Sequence, residues 1–287
     1  MGLEGTDSSR HSGASAGFRD LGDTPWLVLG GGGLRGLAHV GVGRALTEAG
    51  VRPAGIVGTS VGALVGALAA SGVTWQEMHA LALEKSDIVR VNRRVAWING
   101  IRQLSVFRGD ALMDFYAELL PDRGWESMQI PLLVNAVDLT DGSTEWFGTE
   151  ARTDVSLVEA VYASSALPVF YPPFELEGRA FVDGGTAHPL ALGCAERQGA
   201  TGVVGVDVGS GETGDVEEVL AQGILGVQQR IFSIMTWRRR RDLLAQWDGP
   251  PLMYVRPRLE GLAAFDFDSV EYFLEKGYRA MKEMLGG

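Results

Sequence analysis

Two glycine-rich turns lie close together near the start of the chain, and each falls between a predicted strand and a predicted helix. The apolar run at 26–29 leads into the sequence GGGGLRG at 30–36, and a helix is predicted from there to about residue 49. The apolar run at 54–57 leads through GTSVG at 58–62 into a helix of small residues. This repeat of strand, turn and helix predicts an α/β fold built on a largely parallel sheet.

The same alternation continues to the end of the chain. A helix is predicted from about residue 110, and further elements are predicted at 131–139, 181–183, 201–208 and 250–255 (strands) and at 268–285 (an amphipathic helix). Residues 1–23 contain too few large apolar side chains to offset the entropy of ordering, so a flexible tail is predicted there. No repeat or linker interrupts 24–287, which is predicted to be one domain.

The charge balance and the cysteine count exclude several classes of protein. A net charge of −11 and an isoelectric point near 4.9 argue against a nucleic-acid-binding protein, which normally carries a basic surface. The single cysteine, Cys194, excludes a disulfide within this sequence. The sequence has no H-E-x-x-H motif, paired cysteines or dense acidic loop, so neither a metal nor another cofactor is expected. With no signal-like or bilayer-length apolar segment in the sequence, a cytoplasmic protein is expected.

The first turn has the composition of a backbone cradle for negative charge. Glycines leave the backbone N–H groups accessible, and the N-terminus of the next helix adds a positive dipole end, so the loop suits an anion or a developing oxyanion. The spacing also satisfies the dinucleotide pattern G-x-G-x-x-G. However, no carboxylate follows at 54–60 to hold a ribose, and no phosphate-loop lysine motif is present in the sequence. A tight turn with a purely structural role is the plainest alternative.

The second turn matches the nucleophile-elbow pattern G-x-S-x-G in the context that this pattern requires. Ser60 lies between a strand and a helix, with Gly58 two residues before it and Gly62 two residues after it. A serine on such a turn projects its Oγ from a strained backbone, and neighbouring chain segments pass so close that only small residues fit. Ser60 is therefore the candidate nucleophile.

A serine hydroxyl needs a base, and the residues leave two possibilities open. One is a histidine triad in the order Ser60, Asp138 or Asp183, and His188. Only one strand precedes the strand of the elbow, which is fewer than an α/β-hydrolase normally has. The other possibility is direct action by Asp183, which ends an apolar strand and is followed by two glycines. A partly desolvated carboxylate there would be a stronger base than a free one.

Three ordered motifs, GGGLRG at 31–36, GTSVG at 58–62 and DGG at 183–185, resemble those of the patatin-like phospholipases. The sequence ASSALP at 163–168 also resembles the stretch of small residues that precedes the family's aspartate. The resemblance extends from about residue 26 to 208, and more loosely to the last helix. It implies a three-layer sandwich, in which helices flank a largely parallel central sheet, and a hydrolase that acts on lipid acyl esters.

The resemblance also implies a role for each matching residue. Ser60 would be the nucleophile and Asp183 its sole catalytic partner, in a dyad without histidine that forms an acyl-enzyme. Amides of the glycine loop would hold the oxyanion, and the implied donors are Gly31, Gly32 and Gly33. Arg35 occupies the family's basic position, where it either orders the loop or contacts the substrate. An acyltransferase with the same dyad and a non-catalytic lipid-binding regulator remain as alternatives.

Two segments could meet a lipid surface. The first, at 97–107, is unusually apolar for a loop. The second, at 231–237, runs directly into four arginines, Arg238 to Arg241, and this pairing is typical of helices that lie on a membrane. The plainer interpretation is a core helix whose arginines are solvated or paired with acidic residues such as Asp242. Because the net charge is negative, at most a transient membrane contact is expected. The oligomeric state is left open.

Overall fold

One sheet of eight strands organises the part of the chain that the computed structural model describes, namely residues 17–92, 105, 107–120, 124–210, 213–259 and 270–286. The strands are β1 (Pro25–Leu29), β2 (Gly55–Gly58), β3 (Leu132–Asp138), β4 (Thr144–Gly148), β5 (Phe174–Leu176), β6 (Arg179–Asp183), β7 (Gly202–Val206) and β8 (Leu252–Val255). The described α-helices are α1 (Leu37–Glu48), α2 (Val61–Ala70), α3 (Trp75–Asn92), α4 (Gly109–Leu119), α5 (Leu157–Ser165), α6 (Leu192–Arg197), α7 (Val216–Ala221), α8 (Gly223–Ala245) and α9 (Val270–Gly286).

Parallel pairing holds the middle of this sheet together. The strand order is β5-β6-β3-β2-β1-β7-β8, with β4 beside β3. Strand β1 pairs parallel with β2 and β7, and the pairs β2 with β3 and β7 with β8 are also parallel. The pairs β3 with β4, β3 with β6 and β5 with β6 are antiparallel. The predicted α/β fold with a largely parallel sheet is confirmed.

Strand β3 determines which loops meet at the edge of the sheet. Its residues from Leu133 to Val137 pair with β4 along one edge, so β2 and β6 must share the opposite edge, one after the other. Gly58, the last residue of β2, pairs with Val134, and Asp183, the last residue of β6, pairs with Ala136. Since β2 is parallel and β6 antiparallel to β3, the loops that follow these two strands leave the sheet at the same place.

Side chains on the two faces of the sheet enter two separate cores, because successive residues of a strand point to opposite sides. Ile56 and Leu132 belong to the core that buries α1, α2, α5 and α9. Val57 and Leu133, their neighbours, belong to the core formed with α6 and the C-terminal part of α8. The predicted three-layer sandwich, with helices on both faces, is therefore confirmed.

Helices α1 and α9 approach each other closely because glycine occupies both sides of their contact. A Cβ placed on Gly41 would collide with the backbone carbonyl of Leu274, and a Cβ placed on Gly277 would collide with the carbonyl of Ala38. Gly43, by contrast, has nothing within 4 Å of its Cβ position. The close contact joins the first helix of the chain to the last one.

The predicted N-terminal tail over 1–23 overlaps residues that pack against the sheet. Phe18–Leu21 form a short 3-10 helix, and Leu21 is fully buried beside Gly202 of β7. The hydroxyl of Thr201 also donates a hydrogen bond of 2.8 Å to the carbonyl of Leu21. Gly202 leaves room for the backbone of this turn, since a Cβ there would lie 2.5 Å from the Cα of Leu21. Residues 1–16 lie outside the described residues, as do 97–104 and 106 of the apolar segment predicted at 97–107.

The described part of the chain contains neither a helix able to span a membrane nor a metal-binding cluster of side chains. No helix there combines the length and apolar character needed to cross a bilayer. In the same residues, no group of three or more His, Cys, Asp or Glu side chains is arranged to hold a metal ion.

Candidate active site

Ser60 lies on a sharp turn between β2 and α2. Its backbone angles, φ 55° and ψ −126°, place a non-glycine residue in a region that costs conformational energy. The glycines on either side of the turn are closely packed. A Cβ on Gly62 would collide with the carbonyl of Leu29, and a Cβ on Gly58 would collide with the backbone of Ala63. The backbone N–H of Ser60 donates a hydrogen bond of 2.9 Å to the Oγ of Ser164, which is fully buried. This geometry matches the elbow that the sequence predicts.

Asp183 ends β6 beside this turn, and its side chain is only 3% exposed. Its carboxylate accepts a hydrogen bond of 2.7 Å from the backbone N–H of Gly185. The side chain of Ser60 lies close enough to act on the same carboxylate and lowers its pKa. Burial raises the pKa of Asp183 to about 6, although the interactions with Ser60 and Gly185 act in the opposite direction. The structure thus places the two residues predicted as the dyad beside each other.

A buried asparagine, Asn135 of β3, joins the two turns that carry Ser60 and Asp183. The hydroxyl of Thr59 donates a hydrogen bond of 2.9 Å to Oδ1 of Asn135, and Nδ2 of Asn135 donates one of 3.2 Å to the carbonyl of Gly184. Thr59 and Asn135 are both fully buried. Sequence reasoning missed this residue, although its signal is visible, because Asn135 is a polar residue inside an otherwise apolar strand, LLVNAV.

The glycine loop after β1 is held by its first two amides. The N–H of Gly30 donates to the carbonyl of Val206 at 3.0 Å, and the N–H of Gly31 donates to the carbonyl of Pro189 at 3.2 Å. A Cβ on Gly31 would lie 3.2 Å from the Cβ of Ser60, so this glycine leaves room beside the serine. Among the three donors that the resemblance implies, Gly31 therefore has its N–H engaged within the fold.

Gly32 and Gly33 are the two implied donors whose amides have no hydrogen bond to another described residue. Gly33 has a φ of 61°, which a residue without a side chain adopts readily, and it begins the 3-10 turn that leads into α1. An oxyanion hole built on this loop would therefore use these two N–H groups.

Arg35 orders the glycine loop in this structure. Its Nε donates a hydrogen bond of 3.3 Å to the carbonyl of Gly32, and a terminal guanidinium nitrogen donates one of 2.6 Å to the hydroxyl of Ser210. Burial, together with the positive charge of Arg240, lowers the pKa of Arg35 to about 10, so the guanidinium stays charged at neutral pH. Of the two roles weighed for Arg35, these contacts correspond to loop ordering.

A buried histidine holds the other end of the same loop. Nε2 of His39, in α1, donates a hydrogen bond of 2.8 Å to the carbonyl of Gly30. Burial lowers the pKa of His39 to about 4, with the Gly30 carbonyl and the charge of Asp207 acting in the opposite direction, so the ring is neutral at physiological pH. The sequence offers no signal for this contact, since His39 falls within a helix at some distance from any motif serine.

One of the four consecutive arginines is part of the interior. Arg240 is 3% exposed, and its Nε lies 3.0 Å from Oδ2 of Asp207, which is 1% exposed. Arg240 also donates a hydrogen bond of 2.7 Å to the backbone carbonyl of Ser210. The pairing with Asp242 that the sequence suggests is made by Arg241, at 3.1 Å. The arginine run therefore has one buried member, paired with a residue that the sequence analysis did not single out.

The residues of the alternative histidine triad have other partners. Asp138 is fully buried and accepts hydrogen bonds from Arg179 and from the N–H of Thr140. His188 is exposed, and its ring stacks on Trp146 with a centroid distance of 6.2 Å. The interaction of the Ser60 side chain with Asp183 involves neither of these two residues. Of the other two histidines not yet placed, His79 contacts Glu271, and His11 lies outside the described residues.

Comparisons with known proteins give a consistent family match. The model of a family described as patatin-like phospholipase matches residues 27–193. An uncharacterized NTE family protein of Mycobacterium tuberculosis is 32% identical over 193 residues, which cover 67% of this chain and 51% of that protein. Patatin-like phospholipase domain-containing protein 6 of Homo sapiens is 27% identical over 316 residues, covering 98% of this chain and 22% of that protein. The chain therefore spans about half of the mycobacterial relative and a smaller share of the human one.

Among solved structures, VipD from Legionella pneumophila is similar over 92% of this chain and 67% of that chain. The sequence identity is 14% and the TM-score is 0.48.

Proposed function

The chain belongs to the patatin-like phospholipase family, and on that premise we propose that it is a serine lipid acyl hydrolase in which Asp183 accepts the proton of Ser60 directly. The observation that carries this proposal is the interaction of the Ser60 side chain with the buried carboxylate of Asp183. The amides of Gly32 and Gly33 on the adjoining loop, which make no hydrogen bond to another described residue, are its second support.

The first half of the reaction would form an acyl-enzyme. The Oγ of Ser60 attacks the ester carbonyl carbon while the carboxylate of Asp183 takes the hydroxyl proton. The carbonyl oxygen becomes an oxyanion, which the N–H groups of Gly32 and Gly33 stabilise, assisted by the N-terminus of α2. As the ester C–O bond breaks, Asp183 gives its proton to the departing alkoxide, so the alcohol leaves and the acyl group remains on Ser60.

The second half would release the acid by the same steps with water as nucleophile. Asp183 takes a proton from water, the resulting hydroxide adds to the acyl carbon, and the oxyanion again forms at the glycine loop. Collapse returns the proton from Asp183 to the Oγ of Ser60 and frees the carboxylic acid. A pKa of about 6 suits this role, because Asp183 is ionised at neutral pH and yet a better proton acceptor than an ordinary carboxylate.

The dyad is tested by hydrolysis of a short nitrophenyl ester and of a panel of phospholipids, lysophospholipids and neutral lipids, with a chelator present. Ser60→Ala and Asp183→Asn should each lower kcat/KM by about 10⁴-fold or more while leaving the circular dichroism spectrum unchanged. Ser71→Ala is the matched control, because Ser71 is a buried serine outside the site whose hydroxyl donates to the carbonyl of Leu68. Full activity in either site variant would refute the assignment.

The same assay separates hydrolysis from acyl transfer. With glycerol or a lysolipid added as acceptor, a hydrolase continues to yield mainly free fatty acid, whereas a transferase yields the new ester. We propose hydrolysis as the main reaction, and a product mixture dominated by the acceptor ester would overturn that part of the proposal. A protein that only binds lipid would hydrolyse neither the nitrophenyl ester nor the lipids of the panel.

A further inference from the structure

Helix α8 carries a row of apolar side chains that the fold leaves in solvent. Ile224, Val227, Ile231 and Met235 are 85%, 38%, 47% and 58% exposed, respectively. Their spacing of three or four residues places all four on one face of the helix, which we call the α8 stripe. The opposite face of α8 packs against the rest of the protein, where Thr236 is 7% exposed. An apolar row of this length on a surface helix indicates a binding surface.

The charge of α8 differs from that of the chain as a whole. The helix contains five arginines and one aspartate, whereas the chain has a net charge of −11. Arg240 is turned inward to Asp207, but Arg238 and Arg239 are exposed at the C-terminal end of the stripe. An apolar face that ends in exposed arginines matches the two layers of an anionic membrane surface, acyl chains beneath and negative head groups above.

The same helix borders the proposed catalytic site. A Cβ on Gly185, which donates to the Asp183 carboxylate, would lie 3.7 Å from the ring of Phe232 on α8. The hydroxyl of Ser233 on α8 donates a hydrogen bond of 3.1 Å to the hydroxyl of Ser210. The Ser210 hydroxyl also accepts a hydrogen bond from the guanidinium of Arg35 in the glycine loop. A lipid layer held on the outer face of α8 would therefore be separated from the turns that carry the dyad by the width of this one helix, about 10 Å.

We propose that α8 docks this protein on anionic lipid bilayers, with the α8 stripe entering the interface and Arg238 and Arg239 contacting head groups. This deepens the proposed function, because docking would deliver acyl-ester substrate to Ser60, and in that sense it rests on the hydrolase assignment. The binding itself does not require catalysis and can be measured without it.

The test is co-sedimentation with vesicles made of equal parts of phosphatidylcholine and phosphatidylserine, using the Ser60→Ala protein so that no lipid is consumed. Adding Ile224→Ser together with Ile231→Ser should lower the partition coefficient about tenfold or more, because two apolar side chains are no longer available to enter the membrane interface. Adding Arg238→Gln with Arg239→Gln should lower it about 10- to 30-fold and abolish most of its dependence on salt.

Matched controls use equally exposed residues elsewhere. Leu139→Ser changes a side chain that is 57% exposed in the turn after β3, and Arg279→Gln changes an exposed arginine of α9. Both should bind vesicles as the parent does. The stripe and arginine variants should keep the thermal unfolding midpoint of the parent, since all four side chains are exposed. When the same substitutions are made in the protein that retains Ser60, it should hydrolyse a soluble nitrophenyl ester at the rate of the unsubstituted protein.

Three outcomes would overturn the docking proposal: no vesicle binding by the parent, equal binding by the stripe variants, or a parent dimer that the stripe variants convert to monomer without any vesicle binding. The third outcome would assign the stripe to a second copy of the chain, whose acidic α7, with exposed Glu217 and Glu218, could face the arginines. Loss of ester hydrolysis with intact vesicle binding would instead overturn only the hydrolase proposal.

Discussion

Replacing Asp183 by asparagine should make the folded protein more stable at about pH 8 than the parent, even though it removes the proposed base. The reason is that the carboxylate is 3% exposed, and burial raises its pKa from the ordinary value of 3.8 to about 6. The folded state therefore favours the protonated carboxyl group, and ionising it inside the fold costs free energy that an uncharged amide does not.

The pKa difference sets the size and direction of this effect. At about 1.4 kcal/mol for each pKa unit, the change from 3.8 to about 6 corresponds to about 3 kcal/mol. Because the folded-state pKa is the higher one, the favourable contribution of the protonated group is fully present below about pH 4 and is lost as the pH rises through about 6. The advantage of Asp183→Asn over the parent should therefore grow by about 3 kcal/mol between about pH 4 and pH 8.

Urea unfolding of both proteins across this pH range measures the difference directly. Asp154→Asn is the control, since Asp154 is an exposed carboxylate whose pKa is lowered by its hydrogen bonds with Arg152. Its substitution should not raise stability as the pH increases, because ionisation of Asp154 is favoured in the folded state. A difference between Asp183→Asn and the parent that stays constant with pH, or shrinks toward pH 8, would refute the claim that burial governs this carboxylate.

Three further predictions test other contacts. Gly41→Ala should destabilise the protein by about 1–3 kcal/mol in thermal unfolding because it overpacks the contact of α1 with α9, whereas Gly43→Ala in the same helix should stabilise it by about 0.5–1 kcal/mol; equal effects would contradict the packing. Asn135→Ala should lower the free energy of unfolding in urea by about 1–3 kcal/mol, because the two turns that Asn135 joins lose buried hydrogen-bond partners. Unchanged stability would contradict the claim that Asn135 holds these turns together. Ser60→Ala should move the Asp183 stability transition to higher pH because it removes a side-chain interaction that lowers this pKa, and an unchanged transition would mean that the interaction does not form in solution.

The features that could be predicted from the sequence are those formed by neighbouring residues. The turn at Ser60 needs only a strand, two small flanking residues and a helix, all within a short window, so its backbone conformation follows from GTSVG and the apolar runs around it. Strand β1 and helix α1 are likewise marked by their own composition. The fold class follows from the alternation of such local elements.

The features that could not be predicted depend on pairing between distant segments. Nothing local to Ser60 or Asp183 shows that β2 and β6 share one edge of β3, yet this arrangement is what joins the two side chains. The resemblance to a family implied the contact, and the residues by themselves left a histidine triad open. Asn135 was missed for the same reason, because a polar residue in a strand has no visible partner until the neighbouring turns are placed.

The arginine run and the glycine loop show a related limit. Four consecutive arginines look alike in sequence, and only the rotation of α8 relative to the sheet turns Arg240 inward to Asp207 while Arg238 stays in solvent. Similarly, three successive glycines look equivalent as amide donors, but the path of the chain near Pro189 engages the N–H of Gly31. Orientation about a helix axis and the direction of an amide are both properties of the packed fold.

The most direct measurement of the central claim is the rate at which a fluorophosphonate labels Ser60 in the parent, in Asp183→Asn and in His188→Gln, followed across pH by intact-protein mass. We expect His188→Gln to react like the parent, with a rate that rises as Asp183 ionises near pH 6, and Asp183→Asn to react very slowly at every pH. Loss of labelling in His188→Gln, with labelling retained in Asp183→Asn, would contradict the claim that a buried carboxylate alone activates the serine.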